Sequence, residues 1–114
     1  MKQVFEWIVE QGGEIAILSD ANTVYISTIL KHLGMDHLVS EIITNRGFFE
    51  ESGRLRVERF WKESEEPHGC PNGCAPNLCK GKELKRLMSL KTYERVYYLG
   101  DGRNDYCPSV HLKA

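Results

Sequence analysis

The chain has 114 residues, 41% of them hydrophobic and 27% charged, with 15 Lys and Arg against 16 Asp and Glu and a formal net charge of -1. This composition excludes a chain too polar to fold, and the length suits one domain, residues 1–114, around a modest core. The near balance of charge excludes an electrostatic grip on nucleic acid or an anionic membrane, and no apolar run approaches the ~18 residues of a membrane span, so a small ligand is the expected partner.

The opening segment reads as an amphipathic helix rather than a signal peptide, with Val4, Phe5, Ile8 and Val9 on one stripe and Gly12-Gly13 at its end. Ile15-Ala16-Ile17-Leu18 is a short apolar run, the pattern of a strand buried on both faces of a parallel sheet, and it stops at Ser19. Asn22 is the N-cap expected for a helix whose Tyr25, Ile26, Ile29, Leu30 and Leu33 share a face, with Gly34 at its C-terminal end. Glu41 to Asn45 follows as a second strand. Beyond a Ser52-Gly53 turn, Leu55 and Val57 alternate with Arg54, Arg56 and Glu58 in a solvent-facing hairpin. Phe48, Phe49, Phe60 and Trp61 read as hairpin packing, with a substrate lid as the functional alternative.

The stretch from Pro67 to Pro76 is a Pro, Gly and Cys-rich loop that leads into a helix with Lys80 near its start and Leu84, Leu87 and Met88 inward. Val96-Tyr97-Tyr98-Leu99 reads as the last strand, running into Gly100-Asp101-Gly102-Arg103-Asn104-Asp105 with no helix after it. Strands alternating with helices point to an α/β sheet with its ligand chemistry at the strands' carboxyl ends.

Three features would meet there: Ser19 and Asp101 at strand ends, and Lys80 at a helix start. A hydroxyl and its neighbouring amides hydrogen-bond phosphoryl oxygens, and a lysine adds a full charge to the helix's partial one. At ~4 Å and an effective dielectric near 20 such a charge is worth roughly 4 kcal/mol. The carboxylates of Asp101 and Asp105 with the amide of Asn104 are hard oxygen donors suited to magnesium, which takes one or two protein carboxylates and shares its other positions with phosphate and water.

Ile17 to Asn22, Pro76 to Lys82 and Tyr98 to Pro108 together resemble, in order, motifs of the phosphoethanolamine/phosphocholine phosphatase family. That family includes pyridoxal phosphate phosphatases and plant relatives within the haloacid dehalogenase-like superfamily, and the similarity runs from about residue 13 to 109. The resemblance implies a partial Rossmann-like parallel sheet with flanking helices and a β-hairpin. It implies Ser19 as second-motif phosphate ligand with Asp20 beside it, Lys80 as third-motif lysine with Lys82 as rival, and Asp101 as magnesium ligand supported by Asn104 and Asp105. Family members also carry an aspartate nucleophile two residues before an acid/base aspartate, at the end of a central first strand. No segment of this chain matches that motif: Asp20-Ala21-Asn22 puts an amide in the acid/base place, and an amide cannot cycle a proton.

The expectation is therefore a fragment of a Mg2+-dependent phosphomonoesterase, lacking the central strand and inactive alone. Phosphoethanolamine, phosphocholine, pyridoxal phosphate, thiamine phosphate and pyrophosphate all stay open as substrates. One alternative is a non-catalytic phosphate-binding or interaction protein. Another is a zinc-binding module through His68, Cys70, Cys74 and Cys79, set against a loop of reduced thiols, because Cys-x3-Cys-x4-Cys is not a familiar finger spacing. Three cysteines bunched in one loop make a poor secreted disulfide framework, so a reducing, cytoplasmic setting is expected.

Overall fold

The computed structural model describes residues 1–112 and falls into two compact units, Met1–Phe60 and Trp61–Ala114. In the first, helix α1 (Lys2–Glu10) ends where Gly12 takes φ +80, a left-handed conformation that costs glycine no Cβ clash. Phe5 leans on the core, while Val4 and Val9 of the expected stripe are largely exposed.

Strand β1 (Ala16–Asn22) runs three residues past Ser19, because the chain bulges and then rejoins the ladder. It pairs in parallel with β2 (Glu41–Phe49) through Ala16 to Leu18, loses register, and regains it at Asn22 opposite Asn45. Ser19, Asp20 and Ala21 thus stand opposite Thr44 alone. The buried Asn45 amide donates to the carbonyls of Asp20 (2.8 Å) and Ala21 (3.0 Å), satisfying backbone acceptors that the bulge frees.

Asn22 Oδ1 accepts from Tyr25 N–H at 3.0 Å, the N-cap of α2 (Thr23–His32), and Gly34 at φ +66 closes the far end. Its apolar residues divide: Ile26 and Leu30 join Met35 and Leu38 in the core, backed by Phe5, Ile17, Ala21 and Val39, whereas Tyr25, Ile29 and Leu33 form an exposed stripe. A helix packed on one side buries only about a third of its circumference, so five apolar residues could not share one buried face. The β1 apolar run is only half-buried for the same reason. Among the described residues β1 has β2 as its single sheet neighbour.

β2 continues through Phe49 and turns at Glu50–Gly53 into β3 (Leu55–Glu58), antiparallel to it, with Phe48 opposite Arg56. The sheet is therefore mixed, in the order β1-β2-β3: β1 and β2 pair in parallel, and the expected hairpin adds β3 to the same sheet. The α/β class with flanking helices and a hairpin stands.

In the second unit a long loop leads to α3 (Lys80–Leu90), where Leu84 is buried but Met88 is exposed, contrary to its expected inward place. Val96 to Leu99 is not a strand: among the described residues the sheet holds only β1, β2 and β3, and Leu99 is 94% exposed. A helical ending replaces the expected absence of helix. A 3-10 turn at Arg103–Asp105 passes into α4 (Tyr106–Val110), whose Pro108 sits in the first turn, where no N–H is needed.

Candidate functional site

Lys80 is the first residue of α3, and its ammonium is buried against Asp105 with Nζ to Oδ1 at 2.8 Å. Asp105 lies at the end of the glycine-rich loop and accepts two further bonds, from Tyr98 O–H on Oδ1 (2.5 Å) and from Gly102 N–H on Oδ2 (2.9 Å). Gly100 leaves no room for a side chain. A Cβ on Gly100 would run into the Asp105 carboxylate, 2.6 Å from Oδ2, and one on Gly102 would meet Asn104 Oδ1 at 2.9 Å.

Burial alone would push the Asp105 carboxyl up. The Lys80 ammonium, with the Tyr98 hydroxyl and the Gly102 amide, outweighs it and holds the group down at about 2, so this is a carboxylate at any physiological pH. The ion pair fixes Lys80 at the positive end of a helix and ties it to the loop carrying Asp101 and Asn104, both exposed. Lys82, the rival lysine, is exposed and lies over the Trp61 ring, 4.0 Å from its centroid. The buried lysine is Lys80.

Asp105 has both oxygens engaged inside the protein. The donors that face outward from the loop are the Asp101 carboxylate and the Asn104 amide. Such hard oxygens are the donor type that a magnesium ion takes. Tyr98 was not singled out from sequence, where it reads as one more apolar residue of a run.

Ser19 and Asp20 belong to Met1–Phe60 and are held in the bulge of β1. Ser19 Oγ accepts from Ala21 N–H at 3.1 Å, a local turn bond, and Asp20 is exposed.

Beside Lys80 lies a second cluster. The sulfurs of Cys70, Cys74, Cys79 and Cys107 all lie within 4.8 Å of one another, with Cys79 and Cys107 buried. Burial and neighbouring thiols push Cys74 and Cys79 up, whereas the Asn72 amide and the other thiols bring Cys70 down to about 7 against its own burial. The expected set was His68 with three cysteines. His68 does not join it: its Nδ1 accepts from Cys70 N–H (3.2 Å), so its Nε2–H is left to donate to Ala75 O (2.8 Å). Cys107 takes that place, brought by the turn into α4.

A family profile described as Putative Phosphatase matches residues 1–114. "Inorganic pyrophosphatase 2" of Arabidopsis thaliana is 47% identical over 107 residues, covering 90% of this chain and 38% of that protein. "Thiamine phosphate phosphatase-like protein" of the same plant is 36% identical over 106 residues, 90% of this chain and 43% of its own length. "Pyridoxal phosphate phosphatase PHOSPHO2" of Homo sapiens is 35% identical over 102 residues, 85% of this chain and 40% of its own length. The chain thus spans about two fifths of these curated relatives. No solved structure matches it significantly. With the profile running the whole length over the lysine and glycine-rich loop just described, the chain belongs to the Putative Phosphatase family.

Proposed function

We propose that this chain carries the phosphate-gripping and magnesium-holding part of a phosphomonoesterase of the haloacid dehalogenase-like type, acting on a small phosphorylated metabolite. The observation that carries the reading is the buried Lys80–Asp105 pair. An ammonium is costly to bury, and its carboxylate partner with two extra hydrogen bonds holds it at a helix start, where an anion is favoured. Lys80 would hold a phosphoryl oxygen, with Ser19 a further ligand on its motif alone, and Asp101 and Asn104 would hold the metal. Magnesium, when bound, would neutralise charge on the phosphoryl oxygens. Asp105 keeps Lys80 in place.

The names of the relatives, a pyrophosphatase and phosphatases of pyridoxal and thiamine phosphates, support phosphorylated small molecules as the ligand class. Because Asp-x-Asp occurs nowhere in the sequence, the aspartyl-phosphate step that such a site would serve has no matching nucleophile among these residues, and the chain alone is proposed to bind without turnover.

Thermal stability followed while phosphocholine and Mg2+ are titrated tests this. A saturable rise that needs Mg2+ and is lost in Lys80→Ala, with no phosphate released, is the expected result. An unchanged melting temperature at millimolar ligand would count against binding, and chelator-sensitive turnover would count against the missing nucleophile.

A further inference from the structure

The four-cysteine cluster is not used by the phosphate site, and its geometry is that of a metal centre. A zinc ion about 2.3 Å from each of four sulfurs sets them about 3.8 Å apart at the corners of a tetrahedron. Four of the six edges measure 3.5 Å (Cys70 to Cys74), 3.4 Å (Cys70 to Cys107), 3.7 Å (Cys79 to Cys74) and 3.8 Å (Cys79 to Cys107). The other two lie within 4.8 Å. A disulfide would need about 2.05 Å, far shorter than any edge.

N–H donors lie around the sulfurs. The backbone amides of Asn72 and Lys82 hydrogen-bond Cys70 and Cys79, and Asn72 Nδ2 donates to Cys107 Sγ at 3.3 Å. Cys79 is the N-cap residue of α3, beside the positive end of the helix. Such N–H donors aimed at sulfur are the supporting shell by which proteins orient metal-bound thiolates. Close approach is built in at Gly81, where any Cβ would run into Cys107 Sγ and stand 2.9 Å from His111 Cδ2. His68 and Trp61 brace the loop, the rings 5.9 Å apart at 79°, with Trp61 Nε1–H donating to Glu66 O.

We propose that Cys70, Cys74, Cys79 and Cys107 bind one structural zinc ion as a closed tetrathiolate site. Four protein sulfurs leave no open position for substrate, so the ion is a staple and not a catalyst. It ties the Cys70–Cys79 loop and the start of α3 to α4, cross-linking a unit short of regular structure.

The test uses the full chain, purified under reducing conditions. It is expected to retain one equivalent of zinc after dialysis into metal-free buffer, to give up that zinc as its four thiolates take up four equivalents of an organomercurial, and to melt at lower temperature after chelation. Loaded with Co2+, it should give the visible absorption of a tetrahedral four-sulfur site. That spectrum should persist in His68→Ala and shift to a three-sulfur form in Cys107→Ser, with zinc affinity falling by more than the roughly 100-fold that loss of a supporting partner costs. Zinc lost on dialysis, iron in its place, or a Co2+ spectrum that depends on His68 and not on Cys107 would overturn the assignment. Should Cys107→Ser fail to fold, the thiol count and Co2+ spectrum of the unaltered chain decide.

Discussion

Replacing Asp105 by Asn removes one negative charge and leaves the rest of the loop nearly isosteric. In the folded protein the Asp105 carboxyl is held at about 2, against an ordinary value of 3.8. At ~1.4 kcal/mol per tenfold change, that gap makes ionised Asp105 worth roughly 2 kcal/mol to the fold at neutral pH. The side chain is only 11% exposed, so solvent screens little of it. The sign follows from the direction: a carboxyl held low in the folded state stabilises fully above about pH 4, and that contribution is lost as pH falls towards 2. Urea unfolding of both proteins at steps from pH 6 to pH 2, read as the difference between them, isolates this group because shared contributions cancel. Asp105→Asn should be less stable by roughly 2 kcal/mol at pH 6, with the gap closing by pH 2. A gap that stays constant over the range, or is absent at pH 6, would refute the claim that Lys80 and Asp105 are a buried charged pair.

Asn22→Ala removes the acceptor for Tyr25 N–H at the start of α2 and should cost about 1 kcal/mol in urea unfolding, while Asn22→Gly should cost only a few tenths. Gly81→Ala forces a methyl group into Cys107 and should destabilise the Trp61–Ala114 unit by about 1–3 kcal/mol while weakening zinc retention. Lys82→Ala removes only a cation lying on Trp61, so it should leave phosphate binding intact where Lys80→Ala abolishes it, as titration with phosphocholine and Mg2+ would read.

Local chemistry was the legible part of the sequence. Asn22 before a helical pattern, Gly34 after it and the Ser52-Gly53 turn each act within a few residues, and each lies where its own neighbours put it. Val96 to Leu99 failed as a strand because its residue types state a preference for extended backbone, whereas a strand also needs a neighbour to take its hydrogen bonds. Tyr25, Ile29 and Leu33 failed as core because helical spacing marks apolar faces without saying which face is covered. Within the site, Lys80 and the glycine-rich loop were legible from motifs. That Asp105 would hold the lysine was not, since a sequence separation of 25 residues carries no local signal. Cys107 was hidden for a similar reason. It lies 28 residues beyond Cys79, past the glycine-rich loop, whereas His68 lies beside the cysteine loop and is the nearer donor in sequence.

The central claim is that Lys80 and the Gly100–Asp105 loop form one phosphate and magnesium end, and residue-by-residue NMR on the labelled chain tests it most directly. Adding inorganic phosphate with Mg2+ should shift the amides of Lys80, Gly81 and Gly100 to Asp105 together along one saturation curve, with Lys80→Ala removing all of them. Shifts confined to other segments, or shifts of the loop that survive the loss of Lys80, would contradict it.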